Sequence, residues 1–269
     1  MRRPIPAILL ALLVGGCSMV PDSLMPGSRA SASGASASKP AAAAPRSPLS
    51  DARLRLADVA ESNANVDVAS AIYQSALAAD PENVDIQTRY ARLLATQGRA
   101  TEALAGLRQN LKRRPSEPGL LLAAARISLR SEDLPAARDF YGRLLEARPG
   151  DADALNGLGI VADLSGEHGA AQRHYTAALR KTPDHAGARN NLGLSLALTG
   201  RLPESVAHLK AVRDEEGTNP TVRHNYALAL AMTGDRKGAR EILAADLSSA
   251  EIDEFVAAAG VLQAANIRK

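Results

Sequence analysis

The chain has 269 residues, 46% of them apolar but only 3% aromatic, and its 32 basic and 29 acidic side chains leave a formal net charge of +3. That apolar fraction excludes a disordered polymer. A single cysteine excludes an internal disulfide or a cysteine-rich zinc site, and so small a charge with no Trp excludes an electrostatic footprint or stacking platform for nucleic acid.

The N-terminus reads as an address. Arg2 and Arg3 precede a 12-residue apolar run, Ile5 to Gly16, which ends in small residues. This is the layout of a cleaved secretory signal, and the run is too short for a membrane-spanning helix, which needs about 20 residues. Residues 1–16 are therefore assigned as a signal peptide. Val14-Gly15-Gly16-Cys17 resembles the lipobox of bacterial lipoproteins. That resemblance implies a lipid-modified Cys17, a periplasm-facing protein and, with Ser18 next, the outer membrane. The alternative is an incidental cysteine in an ordinary signal. Residues 17–49, rich in Ser, Ala, Gly and Pro, have no apolar face to bury and are expected to be a disordered tether reaching roughly 30 Å.

Beyond the tether a period of 34 residues takes over. Pro81, Pro115, Pro149 and Pro183 are each 34 apart, and Gly98, Gly166, Gly200 and Gly234 are separated by multiples of the same number. Both series define one frame of six units: 50–83, 84–117, 118–151, 152–185, 186–219 and 220–253. Position 8 of these units reads Ala57, Ala91, Ala125, Gly159, Gly193 and Ala227, and position 20 reads Ala69, Ala103, Ala137, Ala171, Ser205 and Ala239. Small residues there let two antiparallel helices approach closely. Position 7 (Leu56, Tyr90, Leu158, Leu192, Tyr226) and position 24 (Tyr73, Leu107, Tyr141, Tyr175, Leu209, Leu243) carry larger side chains, all five tyrosines among them. These are expected to fill the space between helices and reach the next unit. Glycine at position 15 ends the first helix, and proline at position 32 follows the second.

The frame has local departures. Ala64 and Glu132 replace the position-15 glycine, and Gly217 replaces the proline at position 32. Asn110 and Asp246 at the usually small position 27 predict irregular second helices in the second and sixth units. Ser248-Ser249-Ala250-Glu251 is a capping-box pattern that starts a final helix, so residues 254–269 are assigned to a cap over the end of the stack.

These columns are those of the tetratricopeptide repeat (TPR) family, which the sequence resembles over about residues 50–253. The resemblance implies an all-α fold: a right-handed TPR superhelix of six helix-turn-helix repeats plus a C-terminal capping helix. It also implies a concave groove lined by positions 2, 5, 9, 12 and 13 of each first helix. That groove would run from acidic (Asp51, Asp58, Glu61) through basic (Arg92, Arg126, Arg130) to apolar with Asn and His. Arg92, Arg126, Asn156, Asn190 and His224 are its candidate partner-binding residues, since arginine grips carboxylates and Asn and His can bond an extended backbone. Asn191 and Asn225 read as structural.

No catalytic constellation is visible. Gly157-Leu158-Gly159 with Gly166 is a poor dinucleotide fingerprint, because no strand precedes it and both Gly159 and Gly166 belong to repeat columns. The five histidines, His168, His174, His185, His208 and His224, form no metal motif. The expectation is a scaffold, not an enzyme, with protein partners and with no cofactor, metal, nucleic acid or small-molecule substrate.

The lipobox, the tether, the repeats, and the stretch from His224 to Asp235 leading into Glu241 to Ser248 together resemble the TadD family. These are TPR lipoproteins of the tight adherence (Flp pilus) assembly system. That resemblance implies help in building a pilus secretion apparatus, with the secretin or another assembly component as partner and a pilotin role for the secretin ring as one form. A type IV pilus pilotin and a periplasmic adaptor for a protease or cell-wall enzyme remain alternatives.

Overall fold

Helix starts recur every 34 residues from Val66 to Arg236, and the last helix falls outside that period. The computed structural model describes residues 48–216 and 219–267, so the signal, Cys17, the tether up to residue 47 and Gly217 lie outside the described residues. Within them are thirteen α-helices and no strand. They fall into two compact bodies, α1–α6 and α7–α13.

The first body holds three helix pairs: α1 (Pro48–Ser62) with α2 (Val66–Ala79), α3 (Val84–Thr96) with α4 (Ala100–Arg113), and α5 (Pro118–Arg130) with α6 (Leu134–Ala147). Both α3 and α5 occupy positions 1–13 of their repeats, and α2, α4 and α6 occupy positions 17–30. Side-chain caps begin many of these helices. Asn65, Asn83 and Asp133 accept from the backbone N–H groups of Val68, Ile86 and Ala136, satisfying donors that the first turn leaves open. The turn closing the first helix needs a left-handed residue at position 15. Gly98 supplies it at φ +76°, whereas Ala64 (φ 53°) and Glu132 (φ 59°) adopt the same conformation with a Cβ present. Backbone bonds such as Arg99 N–H to the Leu94 carbonyl and Asp133 N–H to the Ser128 carbonyl hold the turn either way.

The helix expected to be irregular at Asn110 is not. All 14 residues of α4 are helical, because the Asn110 amide donates to the Gly106 carbonyl one turn earlier and the side chain stays on the partly exposed flank.

The second body holds α7 (Ala152–Leu164) with α8 (His168–Lys181), α9 (Ala186–Leu198) with α10 (Leu202–Glu216), and α11 (Pro220–Thr233) with the shortened α12 (Arg236–Leu243). Here the sixth unit departs as expected. After Leu243 the chain leaves the helix, and Asp246 turns back to accept from Arg223 Nε at 2.8 Å and Nη2 at 2.5 Å. The Ser248 N–H donates to Glu251 (2.8 Å) and the Glu251 N–H donates back to Ser248 Oγ (3.4 Å), and this reciprocal box opens α13 (Ser249–Ile267). Residues Ile252, Phe255, Val256 and Ala259 form one stripe of α13 and cover Leu228, Met232 and Leu243. The cap therefore begins inside the nominal sixth unit.

All twelve small residues of positions 8 and 20 are buried. At two of the position-8 sites the packing partner is the position-24 side chain. A Cβ on Gly159 would stand 2.3 Å from the Tyr175 ring, and one on Gly193 would stand 2.6 Å from Leu209 Cγ. The position-20 hydroxyl of Ser205 donates to the Gly193 carbonyl at 2.7 Å, tying the same crossing.

Candidate partner-binding surface

Position 24 also makes the link between units. Tyr73 meets Tyr90 with ring centroids 6.1 Å apart, Tyr175 shares a core cluster with Leu192, and Leu209 shares one with Tyr226. In each case position 24 of one unit touches position 7 of the next. The hydroxyls of two of these tyrosines have a second role. Tyr73 donates to Glu61 (2.5 Å) and Tyr175 to Asp163 (2.9 Å), so a carboxylate at position 12 receives the position-24 phenol twice. Burial, reinforced by the Glu61 bond, raises the Tyr73 pKa well above its ordinary value.

The acidic start and basic middle of the expected groove meet in the first body. Arg89 reaches Asp58 at 2.6 Å and Asp85 at 3.2 Å, while Arg92 stands 3.5 Å from Glu61. Position-9 and position-12 carboxylates of the first repeat are thus bridged by arginines of the second. Such half-exposed pairs contribute little stability and leave the guanidinium able to exchange partners. Arg92 and Arg126 are each half-buried, one repeat apart in the same column, and both already have partners among the described residues. Below α3 and α4 a pocket of about 340 Å³ is lined by Leu77, Tyr90, Leu94, Leu107 and Asn110.

In the second body the expected groove residues form a ladder. The Asn225 amide donates to Asn190 (3.2 Å) and the Asn191 amide donates to Asn156 (3.0 Å). In both steps position 6 of one repeat holds position 5 of the repeat before it. Asn190 is buried, and Asn156 is half-buried. The amides of Asn156 and Asn190 therefore join neighbouring units, together with Asn191 and Asn225. Asp163 is a second junction, accepting from Ser195 Oγ as well as Tyr175 and facing His168 Nδ1, each at 2.9 Å. Because Ser195 and His168 both meet the carboxylate and not each other, this is no nucleophile–base relay.

His224 lies under the cap. Its ring meets Phe255 edge-on at 6.3 Å, and Nε2 stands 3.3 Å from Asp246 without forming a hydrogen bond. Burial lowers its pKa despite the Asp246 charge, and Arg223 lowers it further. The site residues fall in two groups: Arg92 and Arg126 in the first body, Asn156, Asn190 and His224 in the second. Sequence reading missed the ladder and the phenol–carboxylate pair. Glu61/Tyr73 and Asp163/Tyr175 share one spacing, which was the signal for the latter.

Among the described residues no group of three or more His, Cys, Asp or Glu could hold a metal ion, and no helix is long and apolar enough to cross a membrane.

The family model described as Tetratricopeptide repeat matches residues 54–118, 122–171 and 165–220, more than half of the chain, and the chain belongs to that family. Curated protein sequences provide no match. Solved structures share the fold. The APC/C hetero-tetramer Cut9–Hcn1 matches with TM-score 0.67 at 15% identity over 78% of this chain and 43% of that one. The pilF protein of Pseudomonas aeruginosa matches with TM-score 0.61 at 19% identity over 77% and 96%. The thermophilic TPR protein TTC0263 of Thermus thermophilus matches with TM-score 0.58 at 21% identity over 67% and 98%. This chain spans less than half the length of the Cut9–Hcn1 chain it matches. At these identities the likeness is one of fold. The TPR fold is a scaffold for protein–protein interaction, working by the surfaces its helix pairs present.

Proposed function

We propose that this protein is an outer-membrane-anchored periplasmic TPR scaffold that binds protein partners during assembly of a Flp/Tad pilus secretion apparatus, in the manner of the TadD family. The observation that carries the reading is one chain with three parts in order. These are a lipobox-like run ending at Cys17, a Ser/Ala/Pro tether, and a repeat body whose stretches His224 to Asp235 and Glu241 to Ser248 resemble the TadD family. Acylation at Cys17 would supply the stable attachment that a single fatty chain cannot. The tether would let the repeat body search for its partner while remaining at the membrane. Partner binding is assigned to the first helices, with Arg92 exchanging Glu61 for a carboxylate of the partner and Arg126, one repeat along in the same column, gripping a second. The likeness to pilF supports the scaffold class alone.

Cys17→Ala tests the anchor. The variant is expected to leave the membrane fraction and to lower pilus surface assembly and secretin multimers together. Retention with membranes at the wild-type level would refute the anchor. Loss of a type IV pilus with the Flp pilus intact would favour a type IV pilus pilotin, and two intact pili would favour a periplasmic adaptor. Arg92→Glu with Arg126→Glu is expected to weaken capture of the purified secretin at unchanged helicity. Unchanged capture would remove both arginines from the site.

A further inference from the structure

The first repeat exposes a face that every later repeat buries. Positions 3 and 10 are Ile86 and Leu93, Leu120 and Ile127, Ala154 and Val161, Ala188 and Ser195, and Val222 and Ala229 in the second to sixth repeats, and all ten are buried. In the first repeat the same positions hold Ala52 and Val59, which are exposed. Between them Leu56, at position 7, is also exposed. Leu56 is 57% and Val59 54% accessible, against 4% for Leu93 and 5% for Ile127. Residues 52, 56 and 59 recur at i, i+4 and i+7, so they make one apolar stripe along α1 and not scattered surface residues.

What covers this stripe elsewhere is visible within the molecule. Ile86, Tyr90 and Leu93 pack on the first repeat, in one cluster with Tyr73 and Leu77 of α2. Gln74 of α2 adds a hydrogen bond to Tyr90 Oη at 2.9 Å. Leu192 meets Tyr175 of α8, and Gln172 of the same helix donates to the Ser195 carbonyl. In both cases the covering element is the second helix of the preceding repeat, which uses positions 24, 25 and 28 in the first repeat and 21 and 24 in the fourth.

We infer that the α1 stripe of Ala52, Leu56 and Val59 is a docking face for an amphipathic α-helix of a partner protein, which adds to the array as a preceding second helix. The partner helix carries aromatic or aliphatic residues at i and i+4, the spacing of Tyr73 and Leu77 in α2. A second copy of this chain is a poor occupant. Its matching helix face at the far end is already covered by α13, which Asp253 ties to Arg240 of α12 and which exposes Glu254. This docking face depends on the packing of the repeats and not on which secretion system the protein serves.

The test uses the full-length chain in detergent and a fluorescent peptide of residues 66–79. A lactam links positions 71 and 75, which are exposed in α2. Saturable binding is expected, weakened about tenfold or more by Leu56→Asp with Val59→Asp, because an unpaired charge then faces the apolar helix. The milder Leu56→Ser with Val59→Ser is expected to weaken it in the same direction. Val261→Asp, on the exposed side of the cap, is expected to leave it unchanged. No saturable binding, or equal binding by the Asp variant, overturns the inference. A concentration-dependent dimer abolished by the same variant assigns the face to a second copy instead. Binding to phosphatidylethanolamine–phosphatidylglycerol vesicles, lost in that variant, assigns it to lipid.

Discussion

The two ends of the repeat array solve one problem differently. At the C-terminal end the sixth repeat gives up the second half of its second helix. The released chain is pinned by Asp246 on Arg223 and returns as α13, which closes the core over Met232 and Leu243. At the N-terminal end α1 keeps Leu56 and Val59 in the open, and its turn runs through Ala64 in a conformation suited to glycine. A repeat cannot bury both of its faces alone. One end is finished within the chain, and the other is left ready for a neighbour.

Four measurements break or sharpen that contrast. The largest effect belongs to the cap. Phe255→Ala removes a buried ring from the closing cluster and is expected to destabilise the second body by about 3–5 kcal/mol in urea unfolding. A loss below about 1 kcal/mol would make α13 an ornament and not a closure.

Next come the two turns. Gly234→Ala places a Cβ at φ +95° and is expected to lose about 1–2 kcal/mol. Ala64→Gly relieves the same conformation in the first repeat, and after the entropy of glycine is subtracted it is expected to gain about 0.5–1 kcal/mol. Equal signs for the two substitutions would show that the turns are not equivalent.

A weaker effect comes from protons. His208 and His224, whose pKa values the fold lowers, both lie in the second body. The folded-state pKa of His224 lies below its unfolded value of 6.5 because burial disfavours the imidazolium, and His208 is shifted in the same direction by burial. As pH falls through 6.5 the unfolded chain takes up protons before the folded one. Stability from these groups is therefore present above about pH 6.5 and is lost progressively below it. Hydrogen exchange is expected to quicken in α11–α13 at pH 5.5 while α1 and α2 stay unchanged after correction for intrinsic rates. His224→Gln is expected to flatten the dependence. Acceleration in α1 and α2 of the same size would deny the contrast.

The smallest effect is at the open end. Val59→Ser alters a side chain that touches little and is expected to change stability by less than about 0.5 kcal/mol. A larger loss would mean that Val59 is covered in solution, which a dimer detected by sedimentation would then explain.

Legibility in the sequence followed the reach of each interaction. The position-15 turns and the position-8 and position-20 columns rest on backbone conformation or on a contact that recurs with the repeat and leave a periodic mark, while the Ser248–Glu251 box is legible as a local pattern within four residues. Helix starts were legible in principle, since Asn65, Asn83, Asp133, Asp151 and Asp235 all cap the helix that follows them. The candidate groove was less legible. Asn156 and Asn190 look like ligand-binding amides when only their repeat position is known. Their partners Asn191 and Asn225 lie 35 residues away, and only folding brings them together. Asn110 misled because an amide at a small-residue position can bond its own helix and leave it regular.

The amino-acid sequence by itself determined the repeat length, the helix pairs, the turn residues and the cap, because period and local backbone preference carry that information along the chain. Tertiary structure alone decided which polar side chains are engaged between repeats and which apolar ones stay uncovered. Leu56 and Leu192 occupy the same position in their repeats, and the difference between them is whether another helix pair stands in front.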